Sequence, residues 1–306
     1  MITALIQMSL LIACGTIWKS YAPNHIAATA HRRALTDLVF YILLPALVLD
    51  IVWKAPLDSS SLHISVLAST GIAAGLVLMW FLLKVMKATK KQTGALLLAA
   101  AFPNATYLGL PVLSQVLGPS SREVVVQYDY FACTPILLSL GMLLAQHYGD
   151  NNKEIHPLKA LAKIPPLWAV ALGVTLNFLE IPQPDFIHSA LQVLMGGVIP
   201  LMLIVLGMSI RWDSLRLNYL KLLLPVAAIT LVCVPITVYL LSQFIGLNTD
   251  LVTPVTLLAA MPSMVFGIVI CERYQLDTEL YAAGVTFTTV LSLLTLPAWS
   301  HYLGIS

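Results

Sequence analysis

Two stretches set a proline beside a polar side chain inside otherwise apolar runs: AAFPNATYLG, with Pro103 and Asn104, and AAMPSMVFG, with Pro262 and Ser263. A proline within a helix removes one backbone hydrogen bond and crowds the preceding turn. It also drives the residue before it, Phe102 or Met261, out of helical geometry. Two helices broken in this way aim the free N–H groups and partial positive charge of their second halves at one level. The Asn104 amide and the hydroxyls of Thr106 and Ser263 add further donors, and no Lys or Arg lies at mid-depth in the apolar stretches. Such a set suits a small organic carboxylate held without a salt bridge. Asp129 lies roughly 9 Å past Glu123 along its own apolar stretch, at 1.5 Å per residue. An ionisable group at that depth is a candidate site for a coupling proton or cation, or part of a pocket. An interfacial carboxylate in outer-leaflet water is the alternative, and both stay open.

The elements that carry these residues are membrane helices. Of the 306 residues 59% are hydrophobic and 10% charged, and the mean hydropathy is +0.89. A soluble domain carries about 25% charged residues, so this chain cannot cover a globular surface in water. Apolar stretches near 20 residues, each able to cross about 30 Å of hydrocarbon, recur along the whole length. They predict ten spans, at about 3–19, 37–53, 62–84, 92–118, 123–147, 164–180, 186–210, 219–244, 251–271 and 279–303. Their length fits helices and not barrel strands. The result is an all-α polytopic protein of one domain, 1–306. Residues 148–163 form a linker too small to fold alone.

Of the 16 Lys and Arg residues, all but Lys54 and Arg122 fall in alternate loops. The positive-inside rule makes those loops cytoplasmic and places both termini outside. The net charge of +2 therefore reflects topology and implies no nucleic-acid partner. No Lys or Arg precedes the first apolar stretch, whereas Lys19 follows it, so the first helix is expected to stay and not to act as a signal peptide. Cys14, Cys133, Cys233 and Cys271 share no CxxC spacing, and the histidines show no metal-ligand spacing. No metal or organic cofactor is expected. A proton or sodium ion is left as the candidate coupling ion.

The halves repeat. Pro103 and Pro262, Pro45 and Pro200, and Gly15 and Gly173 are separated by about 155–159 residues in each case. Five spans per half reverse the direction of the second half, so the spans of 1–147 and 164–306 form inverted repeats of the kind found in secondary transporters. Pro103 sits about 17 Å past Gln92, near mid-bilayer, with Pro262 at similar depth from the other side. An isolated proline at such depth is commonly a simple kink. Two at symmetric positions, each followed by a polar residue, point to a binding site.

FPNATYLGLPVL, the later AMPSMVFGIVICERYQLDTELYAAGV, and the stretches YILLPALVLDI, GVIPLMLIVLGMSI and TTVLSLLTLPAW resemble the auxin efflux carrier family, in its bacterial members and its plant PIN-type exporters. The resemblance covers essentially the whole chain. It implies two inverted five-helix repeats whose fourth and ninth helices cross at Pro103, Asn104 and Pro262 beside the substrate. It also implies elevator-like motion of a transport domain, often in a dimer, and organic anions such as malonate, malate or auxin-like acids as substrates. Gln127 looks like a pocket-facing position. The long cytoplasmic loop of many plant members is missing, and Ser263 stands where they carry a larger amide, so plant substrates do not carry over.

The leading expectation is a carrier of small organic anions in the bacterial inner membrane, with only the substrate and membrane lipids as further partners. A sodium-coupled symporter of the bile-acid type would need a cation site near the crossover, and the sequence places no carboxylate close to either proline. An intramembrane hydrolase would need a histidine at the depth of Ser263 or Thr106, and none is there. Inverted repeats with broken helices favour alternating access over a passive channel.

Overall fold

The computed structural model describes residues 2–21, 27–150 and 157–305. Residues 151–156 of the predicted linker, Lys153 among them, lie outside the described residues. The described chain is helical, with no strand beyond one isolated bridge. Its main helices are α1 (Ile2–Tyr21), α2 (Ala28–Lys54), α3 (Ser59–Met86), α4 (Lys90–Ala101), α5 (Leu110–Val116) and α6 (Ser121–Tyr148). They continue as α7 (Pro165–Phe178), α8 (Asp185–Ser209), α9 (Leu220–Phe244), α10 (Thr249–Ala259), α11 (Gly267–Tyr274) and α12 (Thr278–Tyr302). Six of these, α2, α3, α6, α8, α9 and α12, are long and apolar enough to cross a membrane, and α7 and α10 are shorter apolar helices. Large apolar side chains such as Leu62, Val77, Phe81 and Val85 stand on the outer face of α3, as a lipid-facing surface requires.

Two of the ways in which prolines are accommodated bear on the site. Pro45, Pro135 and Pro235 each follow a widened π-helical turn, at Val39–Leu43, Asp129–Cys133 and Ile229–Cys233. The wider turn absorbs the missing donor and the ring, and the helix continues. At Pro103 and Pro262 the helices stop. The simple-kink reading therefore holds for the first three and not for these two.

The helices form two groups. In one, α1 packs along α8 and α2 along α7; in the other, α3 lies against α4 and α9, and α4 against α6 and α12. Glycines set the closest approaches. A Cβ at Gly15 would meet the Ile204 carbonyl and one at Gly207 the Ile12 carbonyl, so α1 and α8 cross with their backbones touching. Gly71 and Gly75, a small-xxx-small pair, face Val238 on α9 and the Ala100 carbonyl on α4.

The cation-rich loops gather at one end of the bundle. There Lys19 Nζ donates to the Ile210 carbonyl (2.7 Å), Lys91 pairs with Asp150 (2.7 Å) and Arg216 with Glu279 (2.6 Å). At the opposite end the buried Asp50 ties α2 to α8. Its Oδ1 accepts from Gln183 Nε2 (3.0 Å) and Lys54 Nζ (3.4 Å) and lies 2.9 Å from His188 Nδ1, while Oδ2 accepts from Gln192 Nε2 (3.0 Å). Asp50→Ala is expected to cost about 1 kcal/mol, because the link between α2 and α8 is lost while its donors, exposed (Lys54, Gln192) or half-buried (Gln183, His188), can turn to water. Thermal unfolding in detergent checks this, and an unchanged midpoint would mean the cluster contributes nothing to the fold.

Candidate functional site

The site begins with a helix start. Thr89 caps α4 by accepting from the Gln92 N–H (3.4 Å), and the Gln92 side chain accepts from the Thr89 N–H (3.2 Å). This reciprocal box fixes where α4 begins. The helix runs to Ala101, and Phe102, the residue before the proline, turns to φ −108°, ψ 106°. On the other side Asn248 caps α10 (3.3 Å to the Asp250 N–H), which ends at Ala259.

The two breaks then satisfy each other. The Asn104 N–H donates to the Pro262 carbonyl (2.8 Å), and the Met264 N–H to the Phe102 carbonyl (3.0 Å), giving an antiparallel bridge between Pro103 and Ser263. Irregular backbone at membrane depth needs such partners. The α12 helix holds the second break: Thr288 Oγ1 accepts the Ser263 N–H (3.1 Å) and lies 3.2 Å from Ser263 Oγ, and the Tyr281 hydroxyl donates to the Met264 carbonyl (2.8 Å).

Beside the bridge is a cavity of about 60 Å³, lined on its polar side by Asn104, Thr106, Asp129 and Thr134, with Phe40 and Met264 among its apolar walls. Asn104 is 2% exposed and makes no capping bond; its Nδ2 has no hydrogen-bond partner. Asp129 is also buried. Its Oδ2 accepts a short bond from Thr106 Oγ1, and Oδ1 accepts from Thr134 Oγ1 at 3.0 Å.

Asn104, Thr106 and Asp129 thus share one cavity, as residues of two different helical segments. Pro103, Pro262 and Ser263 build the bridge behind it, with Ser263 turned toward Thr288 and not into the cavity. Gln127 is buried on α6 but is not among the lining residues. One sequence argument is corrected. No carboxylate is close to either proline along the chain, but folding brings Asp129 to Thr106, three residues after Pro103. Of the two readings of Asp129, the structure places it in a pocket and not in interfacial water.

Thr134 escaped the sequence reading, and so did the anchors Tyr281 and Thr288. A signal for Thr134 existed. The π turn at Asp129–Cys133 brings residues five apart into line, and Pro135 marks that turn.

A bundle of apolar, membrane-length helices with two broken helices bridged over a buried polar cavity has the architecture of a membrane transporter. The chain belongs to the auxin efflux carrier family: the family model described as membrane transport protein matches residues 1–300. An uncharacterized transporter of Methanothermobacter thermautotrophicus is 31% identical over 87% of this chain and 87% of its own. A second, from Methanocaldococcus jannaschii, is 26% identical over 89% of this chain and 90% of its own. YfdV of Escherichia coli, also named an uncharacterized transporter, is 22% identical over 88% of both chains.

Proposed function

We propose that the protein is a secondary carrier for small organic anions, mono- or dicarboxylates, which bind at the crossover of the two broken helices. The unpaired Asn104 Nδ2 carries this reading. A buried amide donor without a partner costs about 1–3 kcal/mol, and an anionic oxygen is the acceptor that would repay it. The second halves of the broken helices direct partial positive charge to the same place. At about 60 Å³ the cavity is far smaller than the roughly 300 Å³ at which ligand pockets begin. Substrate entry therefore requires movement, in keeping with alternating access by an elevator-like shift of the group holding α3–α6 and α9–α12 against α1, α2, α7 and α8.

Ten spans in two inverted repeats fit this scheme. Counting each broken pair (α4 with α5, α10 with α11) as one span makes ten from the described helices. The α1–α8 and α7–α2 contacts are the same pairing exchanged between halves, with Gly15 and Gly173 at equivalent crossings. We place the chain in the bacterial inner membrane, both termini outside, with a homodimer as the working assembly. A second reading, a sodium-coupled symporter, draws support from the Asp129 carboxylate beside the break.

Charge movement by proteoliposomes on a solid-supported membrane tests the class of substrate. Saturable currents with the dicarboxylates malonate and malate, and none with amines or neutral solutes, are expected. Currents that need sodium and follow neutral or steroid-like solutes would replace this reading with the symporter.

A further inference from the structure

We propose that Asp129 is the proton site of the carrier: an organic anion occupies the cavity only together with a protonated Asp129, so that anion and proton cross as a pair. The inference rests on the organic-anion reading above and concerns what that reading demands of this site.

The first argument is charge. Asp129 is the one carboxyl side chain among the lining residues; the other polar ones, Asn104, Thr106, Tyr107, Tyr130 and Thr134, are neutral. Among the described residues lining the cavity, none is a cation. α2 presents Phe40 and Leu44, the segment before α7 presents Ile164, and the second break presents Met264 and Phe266. Tyr128 and Cys133, both uncharged, flank Asp129 on its own helix. A substrate carboxylate and an ionised Asp129 would be like charges sharing a small dry site, and such pairs do not ionise together. A buried carboxylate at membrane depth is also the usual component of a proton relay.

The second argument is the hydrogen-bond geometry. With Asp129 ionised, Thr106 spends its hydroxyl proton on Oδ2. When Oδ2 is protonated, its O–H donates to Thr106 Oγ1, since a hydroxyl can accept as well as donate. The Thr106 proton is then free for the substrate, two residues from the waiting Asn104 amide. One proton added at Asp129 removes a negative charge from the cavity and releases one donor into it.

The test is uptake of radiolabelled malonate, malate and indole-3-acetate into proteoliposomes. The membrane potential is clamped at zero, and leak into protein-free vesicles is subtracted. For one proton per anion, a one-unit pH gradient, acid outside, is expected to accumulate anion up to about tenfold in the wild type. The ratio of uptake with and without the gradient should fall to about one in Asp129→Asn and recover in Asp129→Glu. Wild-type uptake that ignores the pH gradient, or follows a sodium gradient, overturns the proton site whether or not the variants fold. Of these, gradient-blind uptake leaves the carrier standing. No uptake of any of the three acids by folded wild type removes the carrier reading and this inference with it.

Discussion

Asn104→Ala is expected to weaken carboxylate transport by about 10- to 100-fold in apparent affinity while leaving thermal stability unchanged or slightly raised. Two facts set the direction of each effect. The Asn104 Nδ2 has no partner in the folded protein, so its removal breaks no hydrogen bond and relieves a buried unsatisfied donor. The backbone of Asn104 holds the bridge through its N–H and accepts from Leu108 and Gly109 through its carbonyl, and alanine keeps both. What is lost is a donor to a charged acceptor, worth about 1.5–3 kcal/mol. Most substitutions of buried polar residues damage fold and activity together. Here the two separate, and that separation is the diagnostic. Uptake measured against substrate concentration, beside thermal unfolding in detergent, decides it. An unchanged affinity would move the binding site away from the crossover.

The breaks at Pro103 and Pro262 were legible because proline acts on its own neighbours; the ring and the missing N–H need no tertiary context. The way the breaks are repaired was not legible. That Asn104 donates to Pro262 and Met264 to Phe102 depends on bringing together chain segments from the two halves, and no local signal encodes it. The same limit misled the argument about sodium: distance along the chain separates Asp129 from Pro103, yet α6 returns beside the break and Thr106 closes the gap. Ser263 shows a further limit. Its type and position matched a pocket donor, but which way a side chain turns from irregular backbone depends on its neighbour, here Thr288. Gln127 was chosen by likeness to a family, and it lies buried on α6 outside the cavity lining. The apolar stretches read well as helices, six of them long and apolar enough to cross a membrane, because length and composition alone mark such a segment.

Gly15→Ala and Gly173→Ala should differ sharply, although the proposed repeat makes the two glycines counterparts. At Gly15 the added methyl meets the Ile204 carbonyl and backbone of α8, which cannot turn aside. To admit it, α1 and α8 must separate along their whole crossing, and Gly207, pressed on the Ile12 carbonyl from the other side, leaves no slack. At Gly173 the methyl meets the Val52 side chain at 3.0–3.1 Å and the Trp53 nitrogen at 3.3 Å. A shift of a few tenths of an ångström in the α2 backbone at Val52 and Trp53 relieves that, far less than Gly15→Ala demands of α8. Replacing glycine by alanine inside a helix contributes about 0.8–1.0 kcal/mol in its own right. For Gly173→Ala this gain is expected to offset the crowding, leaving the midpoint of thermal unfolding nearly unchanged. For Gly15→Ala the overpacking, about 1–3 kcal/mol or more when backbone must move, should win, and the midpoint should fall by several degrees. Equal effects would mean that the two crossings are equally tight. A larger loss at Gly15 would identify α1 and α8 as the tighter of the two crossings. An elevator-like carrier needs such a frame, since the bridged helices can move as a unit only against something that does not.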